Sequence, residues 1–166
     1  MRDATTLLVQ YAQYHRDRRN LATHLVGIPL IVVSIGVLLA IRMPLAGQEI
    51  TWAAALWGVT SLWYFSRRHV GAAVAVVLLN ALCFALGHWV ALQVAPLAWA
   101  WGVGLFVVGW AFQFLGHVWE GRKPAFVDDL VGLLVGPLFV AVELWAMVGG
   151  AKDLMARMEA EAGPMR

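Results

Sequence analysis

Charge is what this chain has least of. Twelve basic and ten acidic residues make up 13% of 166, against 61% hydrophobic residues, whereas soluble domains carry about 25% charged residues. So few charges cannot clothe the surface of a soluble fold, and they leave no composition for a disordered segment. Cysteine is nearly absent. Cys83 alone excludes an internal disulfide and a cysteine-ligated zinc site, and within its apolar run it reads as a small buried hydrophobe. No basic stripe interleaved with aromatics exists, so the net charge of +2 does not announce nucleic acid. Linkers, repeats and low-complexity tracts are missing too. No secretory signal is expected, because the segment before the first apolar run is polar and basic and no small-residue cleavage site follows it. The expectation is one membrane-embedded domain over residues 1–166.

What is present are long uncharged windows. No Asp, Glu, Lys or Arg lies between Arg19 and Arg42 or between Glu49 and Arg67, and the 51 residues from His69 to Trp119 hold none. A bilayer crossing takes about 20 apolar residues, so the longest window contains two helices, with a turn at Gln93, Ala95 and Pro96. The windows predict an all-α polytopic bundle with four transmembrane helices near 22–41, 50–66, 70–92 and 97–117. A fifth apolar helix over 126–149, interrupted by Glu143, is left open between crossing the membrane, lying on it and packing against the bundle. With the N-terminus cytoplasmic, Arg2, Arg16, Arg18, Arg19, Arg67, Arg68, Arg122 and Lys123 share one side, and Arg42 stands alone on the other before the C-terminal tail. That asymmetry follows the positive-inside rule, and Trp52, Trp99 and Trp101 fall near span ends as an interfacial belt requires.

The same topology sorts the histidines. His15 precedes the first span, His24 lies just inside it, and His117 ends the fourth, so all three map to the cytoplasmic face. His69 lies on that side beside Arg67 and Arg68 and reads as an interfacial polar residue. His88, about 27 Å along its helix at 1.5 Å per residue, falls near the opposite face. His15 and His24 are nine positions apart and would point to opposite sides of one continuous helix. A break between them is therefore expected, with Asn20 as the N-cap of a helix from Leu21 and Pro29 kinking that helix further on. Gln113, His117 and Glu120 recur at i, i+4 and i+7 on one helix face. Glu120 is open between metal ligand, general base and orienting carboxylate. Neutral imidazoles suit zinc, copper, iron and nickel, and histidine with carboxylate and open positions suits non-haem iron(II). Arg122, Lys123, Arg18 and Arg19 are placed to hold the anionic head of a lipid. Gly132 and Gly136 read as close helix packing. Asp128 and Asp129 suit the first turn of the helix that follows them.

Two strings carry a resemblance. Tyr14-His15-Arg16-Asp17-Arg18-Arg19-Asn20-Leu21-Ala22-Thr23-His24 leads into Gly27-Ile28-Pro29-Leu30. Later come Gln113-Phe114-Leu115-Gly116-His117-Val118-Trp119-Glu120-Gly121-Arg122-Lys123-Pro124-Ala125, then Asp129-Leu130 and Gly136-Pro137-Leu138. Paired in this order over nearly the whole chain, they resemble the membrane-embedded 2-hydroxy-fatty-acid dioxygenase family. The resemblance implies an iron(II)-dependent enzyme of fatty-acid α-oxidation, which uses O2 to cleave a 2-hydroxy fatty acid to CO2 and an acid one carbon shorter. By that resemblance His15, His24 and His117 are the metal-binding histidines and Glu120 the acidic motif residue. Gln113, Asn20, Arg122 and Lys123 are then expected around the substrate. The chain departs from many members in having Arg-Asp-Arg-Arg where they have Asn-Pro after the first histidine. Two other classes fit a chain of this kind. A small transporter or assembly factor would need polar groups near the bilayer midplane, and a bis-histidine haem protein would show a Soret band.

Overall fold

The computed structural model describes residues 2–166. Among them run α1 (Ala4–Ala12), α2 (Arg18–Leu38), β1 (Arg42–Leu45), β2 (Gln48–Thr51), α3 (Trp52–Phe65), α4 (Val70–Gln93), α5 (Ala98–Glu120), a 3-10 turn (Ala125–Val127), α6 (Gly132–Met147) and α7 (Lys152–Ala162). Three helices, α2, α4 and α5, are long and apolar enough to cross a membrane. The pair α6 and α7 makes a fourth candidate only as one broken span, bent by 117°. This is an all-α, polytopic membrane bundle. Its apolar side chains point outward along α3, α4 and α5, where Leu62, Leu78, Leu82 and Val107 are among the most exposed residues, as a lipid solvent allows.

The second predicted span differs. The apolar run at 50–66 does not become one long helix, because Gln48–Thr51 pairs antiparallel with Arg42–Leu45 across the turn at Ala46-Gly47. Thr51 then caps α3 by accepting from the Ala54 amide at 3.1 Å. The 14 residues of α3 rise only about 21 Å, short of the roughly 30 Å hydrocarbon thickness. The turn at 94–97 falls where expected, between α4 and α5.

The last apolar helix resolves as well. α6 begins at Gly132 rather than near 126 and packs inside the bundle, burying Val135, Leu138, Phe139, Val140 and Val142 against α1, α2 and α4. Asp129 precedes it, its side chain accepting from the Val131 amide at 3.0 Å, while Asp128 stands further off in the loop. Gly132 and Gly136 serve packing, as expected: a Cβ on Gly136 would meet Ile28 and Tyr11, and one on Gly132 would meet the Phe126 backbone.

α2 is the axis of the molecule, laid against both α4 and α5. It lies so close to α5 that a Cβ on Gly109 would sit 2.9 Å from the Gly27 carbonyl oxygen and 2.7 Å from Ile31. Small residues permit this approach where apolar lipid supplies no drive to associate. Pro29 lies inside α2, which continues through it from Arg18 to Leu38, as helices packed within a membrane bundle allow.

Candidate metal centre

α1 stops at Ala12, and residues 13–17 leave the helix before α2 begins at Arg18. The expected break between His15 and His24 is there, but its cap is Asp17 rather than Asn20. The Asp17 side chain accepts from the Arg19 amide at 2.8 Å and pairs with the Arg19 guanidinium at 2.8 Å. Those hydrogen bonds, the side-chain one first, pull its carboxyl down to about 2. Asn20, fully buried in the first turn of α2, is spent on other partners. The break turns His15 back toward His24, and α5, packed along α2, delivers His117 from its last turn. Their three ligand atoms lie within 4.8 Å of one another, and all three residues are buried. The rings stand nearly perpendicular, His15 and His24 with centroids 4.3 Å apart and His24 and His117 5.0 Å apart.

The hydrogen bonds fix which nitrogens face inward. His15 Nδ1 donates to the Tyr11 carbonyl at 2.7 Å, and His24 Nδ1 donates to the Asn20 carbonyl at 2.9 Å. Each neutral ring has one proton, so both Nε2 atoms carry lone pairs, and these face each other at 3.0 Å. His117 Nδ1 is buried with no hydrogen-bond partner among the described residues. Burial, then the neighbouring His24, holds the His15 imidazole well below its ordinary value, in the neutral form that ligates. Inward lone pairs, outer nitrogens fixed by carbonyls and an orphaned third nitrogen form a donor set that fits a first-row divalent metal.

Glu120 is not among these ligand atoms. Its carboxylate, with no exposed side-chain surface, accepts from the Asp17 amide at 2.8 Å and from Asn20 Nδ2 at 3.1 Å through one oxygen. The other oxygen accepts from Arg166 at 2.9 Å. Asn20 Nδ2 also donates to the Tyr14 carbonyl at 3.0 Å. Glu120 and Asn20 thus tie the end of α5 to the turn that carries His15, and Asn20 orients His24 through its own carbonyl. The C-terminal residues strap the same turn: Arg166 donates its amide to the Arg16 carbonyl at 2.7 Å and accepts from the Arg18 amide at 3.1 Å.

A cavity of about 300 Å³ opens from the histidines into the bundle. His24, His117, Gln113 and Tyr11 line its polar end, and Ile28, Ile31, Ile35, Phe84 and Phe106 line the remainder. Arg122 and Lys123 do not line it. Arg122 donates to the Gln13 carbonyl and lies over the Tyr14 ring, while Lys123 pairs with Asp128 at 2.5 Å. Asn20 is likewise absent from its wall. His69 caps α4, accepting from the Ala72 amide at 3.1 Å. His88 lies beside Thr51 and Ala54 at the hairpin end. Neither joins the three-histidine group.

Three cavity residues escaped the reading of the sequence. Tyr11 stacks on His15 with centroids 4.2 Å apart and planes 10° from parallel; in the sequence it is one more apolar position of a short amphipathic helix. Asn80, buried in the middle of α4, and Tyr64, whose hydroxyl donates to the Leu134 carbonyl at 3.0 Å, also line the cavity. A polar Asn80 inside the 51-residue uncharged window was the one available signal.

Comparison with known proteins identifies the family. The family model described as 2-hydroxy-palmitic acid dioxygenase Mpo1-like matches residues 1–148. The chain is 34% identical to the 2-hydroxy-palmitic acid dioxygenase MPO1 of Saccharomyces cerevisiae over 160 residues, covering 95% of this chain and 88% of the yeast protein. No solved structure matches. The two motif strings, the three-histidine group they bring together and this similarity along nearly the whole length lead to one conclusion: the chain belongs to the Mpo1-like 2-hydroxy-palmitic acid dioxygenase family.

Proposed function

We propose that this protein is an iron(II)-dependent dioxygenase that converts a 2-hydroxy fatty acid and O2 into CO2, water and a fatty acid one carbon shorter. Carbon 1 leaves as CO2 and carbon 2 becomes the new carboxyl. The observation that carries this reading is the pair of unprotonated Nε2 atoms of His15 and His24 at 3.0 Å, joined by His117 at the polar end of an apolar cavity. Family membership supports the substrate class.

His15, His24 and His117 would hold iron(II), which when bound supplies a Lewis-acid seat for the substrate's carboxylate and 2-hydroxyl and the redox chemistry that O2 needs. The chain's own residues do the rest. The Tyr11 and Asn20 carbonyls keep the two imidazoles in the ligating tautomer. Gln113 presents an amide at the polar end of the cavity, suited to a carboxylate or hydroxyl. From His24 to Ile35 the α2 wall rises about 16 Å, and its apolar lining suits an acyl chain entering from the bilayer. Glu120 and Asn20 act as positioning residues, holding the His15 turn against α5. The excess of Arg and Lys at this end of the bundle supports its assignment to the cytoplasmic side of a multi-pass membrane protein.

Metal analysis of the purified protein, with turnover of 2-hydroxypalmitate by wild type and by His24→Ala, tests the reading. The expected result is about one iron per wild-type chain and loss of both metal and turnover in the variant. Full turnover in metal-free protein, or a strong Soret band in active protein, overturns it.

A further inference from the structure

Beside the three histidines, the hydroxyl of Tyr11 is a polar group with no role so far. The residue is 8% exposed, and its other parts are committed. The carbonyl accepts from His15 Nδ1 at 2.7 Å, one face of the ring stacks on His15, and Phe139 packs at 5.2 Å. The hydroxyl makes no hydrogen bond to any described residue. It lies among cavity-lining groups: a Cβ on Gly136 would be 3.1 Å from it and 3.0 Å from Ile28, and Tyr11, Ile28 and Gly136 all line the cavity. A phenol whose ring is packed in a core keeps its hydroxyl where a hydrogen-bond partner can reach it. Ile28 and Gly136, the neighbours on the cavity side, offer it no side-chain partner, which leaves what fills the cavity to supply one there.

Resting on the reading that a 2-hydroxy acid occupies the cavity, we propose that Tyr11 is a further catalytic residue, its hydroxyl donating a hydrogen bond to the carboxylate or 2-hydroxyl oxygen of the bound acid. Stacking on His15 makes the arrangement specific. The same ring that fixes the metal-binding imidazole holds the donor at a set distance from it, so the polar end of the acid is steered to the histidines and the chain is left to the apolar wall. At neutral pH a phenol keeps its proton and serves only as donor to a carboxylate, which suits a cavity wall with no Arg or Lys among the described residues. Tyr11, Ala125 and Gly132 also line a second, more polar cavity together with Gln10, Gln13 and Asp129.

Tyr11→Phe isolates the hydroxyl, since it keeps the ring, the stack and the backbone carbonyl. Two readouts apply to wild type and variant in detergent: the visible spectrum of the Co2+-loaded protein, and the dissociation constant of 2-hydroxypalmitate measured without O2. The expected result is an unchanged Co2+ spectrum and stoichiometry with about 10- to 100-fold weaker binding of the acid. Equal affinity in wild type and variant overturns the inference alone and leaves the dioxygenase reading standing. Loss of Co2+ from the variant also overturns it, making Tyr11 a support for His15. Wild type that loads Co2+ but fails to bind the acid overturns the reading and this inference together.

Discussion

The Nε2 atoms of His15 and His24 lie 3.0 Å apart, and each ring has already given its one proton to a backbone carbonyl on the other side. Two lone pairs directed at each other in a buried site repel. A cation held by both would convert that repulsion into a link between the α1–α2 turn and the bundle. Removing metal should therefore lower the melting temperature of detergent-solubilised protein, and adding Fe2+ or Co2+ should restore it. Ligand at a hundredfold excess over its dissociation constant is worth about 2.7 kcal/mol. A melting temperature indifferent to chelator and to added metal contradicts the prediction.

The same burial gives the metal-free fold a pH dependence. His15 titrates well below its ordinary value in the folded state, while in the unfolded chain it titrates near about 6.5. The unfolded state thus binds the proton first as pH falls, and proton uptake favours unfolding. Stability contributed by neutral His15 is complete above the unfolded value and is lost progressively as pH drops below it. Thermal melts of apo protein from pH 8 to 5 should show a falling midpoint below about pH 6.5, and His15→Gln should flatten that slope.

Glu120 offers a test of positioning at a distance. Its carboxylate reaches no imidazole, yet it holds the Asp17 amide, Asn20 and Arg166 at once. Glu120→Ala should leave the histidines present but loosely held, weakening metal affinity by about 10- to 100-fold, as loss of outer partners does in other metal sites. Arg166→Ala should cost far less, because its side chain is 67% exposed and exposed ion pairs contribute little. Competition with a coloured chelator reads both affinities, and equal losses in the two variants contradict this ranking.

These partners explain what the sequence made legible and what it did not. His15, His24 and His117 were readable because uncharged windows fix helix ends within a few residues, and the cations mark which ends share a face. Glu120 was readable as a partner on the His117 face, but not its attachment to Asp17, since that depends on a main-chain amide in a turn of unpredicted shape. α3 was overextended because apolarity alone cannot tell that Ile50 and Thr51 belong to a hairpin strand paired with Arg42 and Met43. Asn20 had the right chemistry for a cap, but Asp17 lies one turn earlier, and burial claimed Asn20 for Glu120. Arg122 and Lys123 carried the right charge at the right membrane face, yet their side chains bend toward Tyr14 and Asp128, a choice made by tertiary neighbours.

Gly109 lies two turns from His117 on the α5 face that touches α2. Alanine there would bring a Cβ to 2.7 Å from Ile31 and 2.9 Å from the Gly27 carbonyl, which the helices can relieve only by separating. Overpacking of this kind costs about 1–3 kcal/mol. Separation draws His117 away from His24, so Gly109→Ala should lower both thermal stability and metal affinity, whereas Gly104→Ala, on the open side of α5 with nothing within 4 Å, should change neither. Unaltered metal affinity in Gly109→Ala would separate packing from the site.

Arg122 and Lys123 supply the last test, because their charge and their contacts point to different roles. As a head-group clamp they would act on substrate affinity. Their partners, the Gln13 carbonyl, the Tyr14 ring and Asp128, instead brace the turn that presents His15. Both cations are exposed, and neither touches the cavity. The double variant Arg122→Ala, Lys123→Ala should therefore keep KM for 2-hydroxypalmitate within about threefold of wild type, since exposed ion pairs are worth less than about 1 kcal/mol, while any loss appears in metal affinity. A KM raised more than tenfold with metal affinity unchanged would return both residues to the substrate.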